Sequence, residues 1–335
     1  MAFGIIGILK IIINMNVLVT GAGGFIGSNM VKYLLRETEY YIIGIDNFSA
    51  GRKNELLIKS MVCDRFAFYE GDFSKSNEIL NDVDVDLVFH FAATPRVLYS
   101  VEHPIQTNEN NVSNTLRLLE FCRDKNVNRF IFSSSSSVYG DVVEFPTKES
   151  SIKSPKSPYA LQKSIIEEYC KIYSSLYNID TVCLRYFNVY GPGQYAENAY
   201  STVISAWLKG FILNTEIRLD GDGLQSRDFS YVTDVCKANL LVAEYENNFN
   251  GDVYNVACND TTNLVEIIDI LKDVTGNNPK IDNRPTRLGD VKKTHADINK
   301  IKEIGFNYEH SLFDGILITY KWYESEFKKI NYKND

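Results

Sequence analysis

Tyr159 and Lys163 form the pair of side chains best suited to acid/base chemistry. They lie four residues apart in the segment SPYALQKSIIEEYCKIYSSLYN, whose apolar residues recur at helical spacing, so both project from one face. A lysine ammonium stabilises a tyrosinate, and we expect it to lower the pKa of the phenol from about 10 towards neutrality, as a general base requires. The spacing alone also occurs in helices without activity. The serine run at 133–137 and an upstream glycine turn make the combination specific.

The glycine turn comprises Gly21, Gly23, Gly24 and Gly27, between a predicted strand (NVLVT) and a predicted helix (FIGSNMVKYLLRET). Backbone amides and a helix N terminus can hold a pyrophosphate there without hindrance from side chains. Asp46 ends the next predicted strand, close to the spacing at which a carboxylate accepts hydrogen bonds from an adenosine ribose. Such a carboxylate repels a 2′-phosphate, so we predict NAD rather than NADP. The alternative is an ordinary strand–helix turn followed by an aspartate that caps a loop.

The elements that must position these residues alternate along the first 190 residues. Short apolar strands separated by amphipathic helices predict an α/β fold with a doubly wound parallel (Rossmann-type) sheet. Beyond residue 190 the pattern loosens, which predicts a second, smaller α/β substrate domain. We expect an NAD-binding Rossmann domain at 16–187 and a second domain, mainly for the substrate, at 188–335, with part of 230–260 returning to the first. A small molecule belongs in the cleft between them.

Composition excludes several classes of partner. The net charge of −8 offers no basic footprint for nucleic acid, so any phosphate is held locally. Arg52 and Lys53, which follow Asp46, are interpreted as solvated surface charge rather than as a site for a 2′-phosphate. The six cysteines and four histidines show no ligand-like spacing, so we expect no metal and reduced thiols in a cytoplasmic protein.

The N-terminal segment MAFGIIGILKIIIN lacks a basic flank and a cleavage site, and Lys10 interrupts it. It is too short to span a bilayer. We therefore interpret 1–15 as an N-terminal extension that is not native, with Met15 as the natural start. The alternative is a membrane or partner anchor.

Motifs along the chain resemble the extended short-chain dehydrogenase/reductase family, in particular its nucleotide-sugar 4-epimerases. The resemblance runs from about Asn16 to Lys300, through TGAGGFIGSN, IDNFSAGR, EGD, FHFAA, SSSSSVYG, SPYALQKS, RYFNVYGPGQ, DGLQSRDFSYVTDV and RLGDV. It implies that Tyr159 is the general base, that Lys163 stabilises the tyrosinate and anchors the NAD ribose, and that Ser135 bonds the sugar O4.

The resemblance also implies a set of cofactor residues. Asp72 would meet the adenine, Ala92 and Ala93 would line the cofactor channel, and Asn111 would support the pocket. The full implied set is Gly21, Gly24, Phe25, Ile26, Gly27, Asp46, Asn47, Asp72, Phe73, Ala92, Ala93, Asn111, Ser133, Tyr159 and Lys163.

On the substrate side, the resemblance places Asn188 and Arg227 on the nucleotide diphosphate, with Arg287 and Asp290 on phosphate and ribose. A guanidinium suits a diphosphate because its fixed fork donates two bonds at once. Each arginine taken singly could equally form a surface salt bridge. The implied substrate residues are Ser135, Ser137, Tyr159, Asn188, Arg227, Arg287, Asp290 and Thr294.

The residues after Ser135 select the reaction. Related dehydratases carry Asp-Glu there and decarboxylating relatives keep a glutamate, whereas this chain has Ser136 and Ser137. Without a second acid/base pair, reversible oxidation at C4 remains. We therefore expect Tyr159 to take the 4-hydroxyl proton, a 4-keto sugar to turn within the site, and the opposite face to be reduced.

Thr294 bears on the identity of the hexose. The resemblance implies that a bulky tyrosine at this position restricts substrates to glucose and galactose, whereas a small residue leaves room for a 2-acetamido group. Threonine favours UDP-GlcNAc/UDP-GalNAc, with UDP-Glc/UDP-Gal as a second pair. The alternative is that Thr294 only fills a gap in a loop.

Three further expectations concern alternatives and assembly. Another sugar-nucleotide enzyme of the same fold (a decarboxylase, a 4,6-dehydratase or an epimerase at another carbon) stays open. A non-catalytic NAD-binding sensor or scaffold is the rival from another class, and such proteins usually lose the tyrosine or the lysine. The resemblance implies a homodimer built on helices around 112–125 and 159–177, whose apolar positions could equally face the protein's own sheet.

Overall fold

The computed structural model describes residues 15–49, 53–196, 202–286 and 292–331. Thirteen strands are present in these ranges: β1 Asn16–Thr20, β2 Tyr41–Asp46, β3 Phe66–Glu70, β4 Leu87–His90, β5 Arg129–Ser135, β6 Asp180–Tyr186, β7 Val189–Tyr190, β8 Ile217–Asp220, β9 Ser226–Arg227, β10 Ser230–Tyr231, β11 Asp252–Val256, β12 Thr262–Asn263 and β13 Ile281–Arg284. The α-helices described are α1 Phe25–Glu37, α2 Glu55–Ser60, α3 Ser76–Ile79, α4 Val97–Glu102, α5 Pro104–Asn108, α6 Asn114–Asp124, α7 Pro158–Tyr177, α8 Val203–Leu213, α9 Val232–Glu244, α10 Leu264–Thr275, α11 Asn299–Glu303 and α12 Leu312–Asn331. Short 3₁₀ helices span Phe73–Lys75 and Ser136–Tyr139, and a π-helical turn spans Glu109–Ser113.

Seven strands form one parallel sheet in the order β11-β6-β5-β4-β1-β2-β3. Its strands are buried on both faces because alternate residues enter two different cores. In β1, Val17 and Val19 join one core and Leu18 joins the other. Helices α1 and α9 cover the first face, whereas α6 and α7 cover the second. The predicted doubly wound parallel sheet is confirmed.

The strand order reverses between β1 and β4, which are neighbours in the sheet although β2 and β3 lie between them in sequence. At such a switch point the loops after the two strands diverge to opposite faces and leave a crevice at the carboxyl ends. The glycine turn follows β1, and the Phe91–Ala92–Ala93 segment follows β4. The topology therefore places both predicted cofactor segments at one crevice.

The chain beyond β6 builds a separate hydrophobic cluster from α8, α10 and α12, with Leu208, Ile267 and Ile316 at its centre. Small strand pairs flank it, of which β8–β13 is parallel and β9–β12 antiparallel. Helix α9 and strand β11 return to the large sheet, where β11 pairs with β6.

The predicted N-terminal extension, 1–15, lies outside the described residues except for Met15, whose carbonyl accepts a hydrogen bond from Tyr41 N. Within the described ranges, no helix has the length and apolar character that crossing a membrane requires.

Candidate active site

The glycine turn after β1 has no room for side chains. Gly21 has φ +70°, and a Cβ there would lie 2.7 Å from Ala92 N. A Cβ on Gly27 would lie 2.0 Å from the Gly21 carbonyl oxygen. Helix α1 begins at Phe25 with Gly24 as N-cap and no side-chain cap, so its first amides are left for another acceptor. This is the arrangement that a pyrophosphate requires.

Asp46 ends β2 beside the turn and helps to shape it. Its Oδ2 accepts from Gly23 N at 2.9 Å and its Oδ1 accepts from Phe48 N at 2.7 Å. Burial raises the pKa of Asp46, although these amides oppose the shift. The carboxylate is therefore tied to the glycine turn and to Phe48, a residue that the sequence did not single out and that has a left-handed φ of 54°.

A cavity of about 640 Å³ opens at the switch point. This volume lies within the range of sites for cofactors and other small molecules. Ten of the predicted cofactor residues line it: Gly21, Gly24, Phe25, Ile26, Gly27, Asp46, Asn47, Phe73, Ala92 and Ala93. The uncapped helix terminus, the side-chain-free turn and the carboxylate at the end of β2 together fit a dinucleotide.

Two other predicted cofactor residues support the lining from behind. Asp72 accepts a hydrogen bond from the Asn47 side chain at 3.0 Å. Asn111 is buried and holds the backbone of Thr94, accepting from its N–H at 2.7 Å and donating to its carbonyl at 3.2 Å. Asn111 also donates to Gln162 on α7 at 2.8 Å. This linkage ties the cavity wall to the helix that carries the predicted catalytic pair.

The predicted catalytic residues meet where β5 faces α7. Lys163 is buried, and its Nζ donates to the Ser133 carbonyl at 2.6 Å and lies 5.9 Å from the centroid of the Tyr159 ring. Ser135 lies beside Tyr159, and its hydroxyl opposes the rise in the pKa of the phenol. Ser137 donates to Ser135 Oγ from its backbone N–H at 3.2 Å and from its hydroxyl at 2.9 Å. These five residues form one connected group.

This group adjoins the cavity through α4. The Tyr159 backbone N–H donates to Ser100 Oγ at 3.1 Å, and Val97 and Leu98 of the same helix line the cavity.

The pKa of the phenol departs from the expectation. Burial raises the pKa of Tyr159 to about 12, and only the hydrogen bond with Ser135 opposes it. Burial also lowers the pKa of Lys163 to about 8, which weakens its hold on a proton. The expected lowering of the phenol pKa is therefore not found in the protein alone, because desolvation dominates.

A buried ion pair lies one helical turn beyond Lys163. Glu167 Oε1 accepts from Arg185 Nε at 2.8 Å and from Ser134 Oγ at 2.6 Å, while Oε2 accepts from Arg185 Nη2 at 2.7 Å. Burial raises the pKa of Glu167, but Arg185 and Ser134 more than offset this, so the net shift is downward. Because Ser134 adjoins the carbonyl that holds Lys163, the pair braces the end of β5 against α7.

Sequence reasoning missed a buried chain of hydrogen bonds through His90. The His90 Nδ1 lies 2.7 Å from Thr20 Oγ1, and its Nε2 lies 2.9 Å from Thr115 Oγ1. Thr115 gives its one hydroxyl proton to the Asn111 carbonyl at 2.9 Å, so Nε2 must donate and Nδ1 must accept. Burial lowers the pKa of His90 well below its usual range, so the ring is neutral. The sequence does contain one signal of this chain of hydrogen bonds, because a histidine inside the apolar run VDLVFHFAA is buried and needs polar partners.

Three other predicted substrate residues, Asn188, Arg227 and Thr294, meet around β9. The Asn188 side-chain amide donates to the Asp228 carbonyl at 2.9 Å and to Thr294 Oγ1 at 3.1 Å. The Thr294 backbone N–H donates to the Ser226 carbonyl at 3.1 Å, and the Arg227 guanidinium donates to the same carbonyl at 3.0 Å. Both amide hydrogens of Asn188 are thus engaged within the protein, so contact with a diphosphate requires one of these bonds to be exchanged.

Arg287 and Asp290, the other two predicted substrate residues, lie outside the described residues. Among the described residues, no group of three or more His, Cys, Asp or Glu side chains is arranged to hold a metal ion.

Comparison with known proteins identifies the family. Residues 17–257 match the NAD dependent epimerase/dehydratase family. A Methanocaldococcus jannaschii protein named putative UDP-glucose 4-epimerase is 36% identical over 91% of this chain and 97% of its own length. The structure of UDP-N-acetylglucosamine 4-epimerase from Methanobrevibacter ruminantium, in complex with UDP-N-acetylmuramic acid, is 35% identical with a TM-score of 0.86, covering 93% of this chain and 99% of that one. The structure of UDP-glucuronic acid 4-epimerase from Bacillus cereus, in complex with UDP-glucuronic acid and NAD, is 31% identical to this chain. Its TM-score is 0.85, and the match covers 93% of this chain and 100% of that one.

The family match spans more than two thirds of the chain and includes the glycine turn, Asp46 and the Tyr159–Lys163 pair. The chain therefore belongs to the NAD dependent epimerase/dehydratase family of extended short-chain dehydrogenase/reductases, with NAD as its cofactor, and it is an enzyme of the nucleotide-sugar epimerase group.

Proposed function

We propose that this enzyme interconverts UDP-N-acetylglucosamine and UDP-N-acetylgalactosamine by epimerisation at C4, with UDP-glucose and UDP-galactose as a second substrate pair. The observation that carries the reaction type is the surroundings of the Tyr159 phenol, where the Ser135 hydroxyl, itself bonded by Ser137, acts on the phenol and no carboxylate does. Dehydration or decarboxylation needs a further acid/base pair beside the sugar. Removal and return of one proton at O4 needs only Tyr159.

The proton chemistry follows from the surroundings of Tyr159. Ser135 lies beside the phenol and would bond the sugar O4, which would hold the two oxygens in line for transfer. NAD, when bound, would supply a positive charge and the acceptor for the C4 hydride. The chain contributes Lys163, whose ammonium is fixed by the Ser133 carbonyl below the ring. After oxidation, Tyr159 holds the proton until the opposite face of the 4-keto sugar is presented.

The choice of hexose rests on Thr294. Its side chain is partly exposed and sits beside Asn188, within the group of predicted substrate residues. Its hydroxyl accepts two hydrogen bonds from the protein, which fixes this small side chain in a place that a tyrosine would occupy with a much larger ring. The similarity to a UDP-N-acetylglucosamine 4-epimerase supports this assignment.

The assignment of one ligand to each domain is part of the same proposal. Residues 16–187 hold NAD and residues 188–335 hold the nucleotide sugar, with part of 230–260 returning to the first domain. The pairing of β11 with β6 and the packing of α9 against α1 support that return.

A homodimer and a cytoplasmic location complete the proposal. Helices α4, α5 and α7 pack together and expose apolar side chains, among them Val101 (58% exposed), Ile105 (86%), Leu161 (50%) and Leu176 (67%). Contact with a second copy would remove this surface from water. The solvent side of α6 carries charged residues, so the apolar exposure favours 159–177 over 112–125 as the main contact. All six cysteines are free thiols, which suits a reducing compartment.

The test is an NMR assay of the purified protein with UDP-N-acetylglucosamine and, separately, UDP-glucose, following the anomeric and H4 signals without added NAD. We expect the galacto-configured products, with faster turnover of the acetamido sugar. Thr294→Tyr should abolish turnover of UDP-N-acetylglucosamine and spare UDP-glucose, whereas Thr294→Ser, the matched control, should change the ratio little. If neither sugar changes while UDP-glucuronate or a dTDP-sugar does, the proposed substrate is wrong.

A further inference from the structure

Asp228 is a fully buried carboxylate that follows Arg227 directly in the chain. Its Oδ2 accepts from Ala296 N at 3.0 Å and its Oδ1 accepts from Cys258 N at 3.1 Å. Cys258 follows β11, and Ala296 lies in the segment that carries Thr294. One side chain therefore joins three chain segments that are far apart in sequence.

The backbone of Asp228 extends this linkage to the predicted substrate residues. Its N–H donates to Thr294 Oγ1 at 3.2 Å and its carbonyl accepts from the Asn188 side chain at 2.9 Å. Asn188 donates its second amide hydrogen to Thr294 Oγ1 at 3.1 Å, which closes a ring of three hydrogen bonds. Arg227 is fixed to the same ring through its peptide bond with Asp228.

We propose that Asp228 is a positioning residue that sets the relative placement of Asn188, Arg227 and Thr294, and so determines the affinity of the enzyme for its nucleotide sugar. The inference rests on the proposed function, which assigns those three residues to substrate. Asp228 itself is fully buried, so it acts through its neighbours. Burial raises the pKa of Asp228 to about 7, and the backbone amides around it oppose this shift. Burying a carboxylate costs free energy, and this cost is consistent with a residue whose role is to position Asn188, Arg227 and Thr294.

Asp234, six residues along the same segment, is a matched control. It is also buried, and it accepts from the backbone N–H groups of Glu309 and His310 at 3.1 and 3.2 Å. Its Oδ1 also lies 3.1 Å from Nδ1 of the His310 ring, a side-chain contact that Asp228 lacks. Its partners lead to the start of α12 and not to Asn188, Arg227 or Thr294. Asp→Asn at either position replaces one acceptor oxygen with an amide donor that faces a backbone N–H group, so both variants should lose stability.

The experiment measures binding of UDP-N-acetylglucosamine to the purified holoenzyme by isothermal titration calorimetry, with urea unfolding of each variant. D228N should weaken binding by about tenfold or more, in line with the loss of a buried charge-assisted hydrogen bond. D234N should lose comparable stability and change affinity less than about threefold. Where the sugar is turned over, D228N should raise KM more than it lowers kcat. Affinity in D228N within about twofold of wild type, or an equal loss in D234N, would overturn the proposal.

A second variant covers the case in which D228N does not fold. T294V removes only the hydroxyl that closes the ring of hydrogen bonds. UDP has no hexose, so its affinity reports on the placement of Asn188 and Arg227 and not on contacts between Thr294 and the hexose. We expect UDP affinity to fall several-fold, whereas unchanged UDP affinity would overturn the inference. Wild type that binds UDP-N-acetylglucosamine without epimerising it would refute the proposed activity but not the Asp228 comparison. Wild type that binds neither ligand would refute both.

Discussion

Glu167→Gln should destabilise the protein strongly while preserving side-chain shape. The Glu167 and Arg185 side chains are only 2% and 3% exposed, and two hydrogen bonds of 2.8 and 2.7 Å join them. Removing one partner of a buried ion pair costs about 3–5 kcal/mol, because the other charge is left unpaired. Glutamine keeps one acceptor for Arg185 or Ser134, so we expect about 3 kcal/mol.

Glu168→Gln is the control for this variant. Glu168 is the next residue on α7, and its side chain is 62% exposed. It pairs with Lys153 at 2.6 Å, and Lys153 also lies 3.3 Å from Glu167. An exposed pair of this kind contributes less than about 1 kcal/mol. Urea unfolding followed by tryptophan fluorescence at pH 7 gives both free energies of unfolding. If the two variants differ by less than about 1 kcal/mol, the buried pair does not brace α7 as argued.

Activity provides a second readout of Glu167→Gln. The negative charge of Glu167 raises the pKa of Lys163, against the larger lowering by burial to about 8. Without it, Lys163 should lose its proton at a lower pH, so the alkaline limb of the kcat profile should move to lower pH. The Glu168 control should leave that limb in place. An unmoved limb in both would show that Glu167 does not act on the lysine.

Three further predictions test the catalytic and cofactor groups. Tyr159→Phe should lower kcat by at least about 10²-fold with normal urea unfolding and NAD content, and residual activity near wild type would exclude Tyr159 as the base. Lys163→Met should abolish turnover yet raise the free energy of unfolding at pH 7 by about 2 kcal/mol. The lowered pKa implies that burying the charged lysine costs about 3 kcal/mol, and leaving the Ser133 carbonyl without its donor takes back about 1 kcal/mol of that gain. That gain should be full below pH 8, shrink as the pH rises above the lowered pKa and become a small loss by about pH 10.5, and urea titrations across that range would detect an opposite trend. Asp46→Asn should weaken NAD retention about tenfold, because one of its hydrogen bonds to the Gly23 and Phe48 amides is lost. Cofactor content after gel filtration measures this, and an unchanged content would show that the Asp46 carboxylate does not shape the turn.

Periodicity predicted the NAD half of the fold well for a physical reason. Its strands are buried on both faces and its helices are amphipathic, so NVLVT and the helix after it coincide with β1 and α1 to within a residue. Beyond β6, pairs such as Ser226–Arg227 with Thr262–Asn263 contain two residues on each side, too few for any period to appear. Tertiary contacts, which a single sequence does not display, determine those elements.

The candidate site divides in the same way. The glycine turn and the Tyr159–Lys163 pair are local patterns, so spacing was enough to find them. The convergence of Asn188 and Thr294 on Asp228 joins distant segments, and no spacing rule predicts it. Desolvation is equally invisible in a sequence, which explains why the pKa of Tyr159 was expected to fall and instead rises in the protein alone.

The buried face of α7 explains how the catalytic pair is held at a fixed angle to β5. Three polar residues share that face, and each reaches a different element: Gln162 donates to Thr107 of α5, Lys163 to the Ser133 carbonyl of β5, and Glu167 accepts from Arg185 of β6. Apolar contacts alone would allow the helix to rotate or slide, because they are not directional. Any rotation here would break a hydrogen bond to a buried group, at a cost of about 1–3 kcal/mol each. The polar residues therefore convert a packed helix into one with a single register, and that register keeps the Tyr159 ring above the Lys163 ammonium.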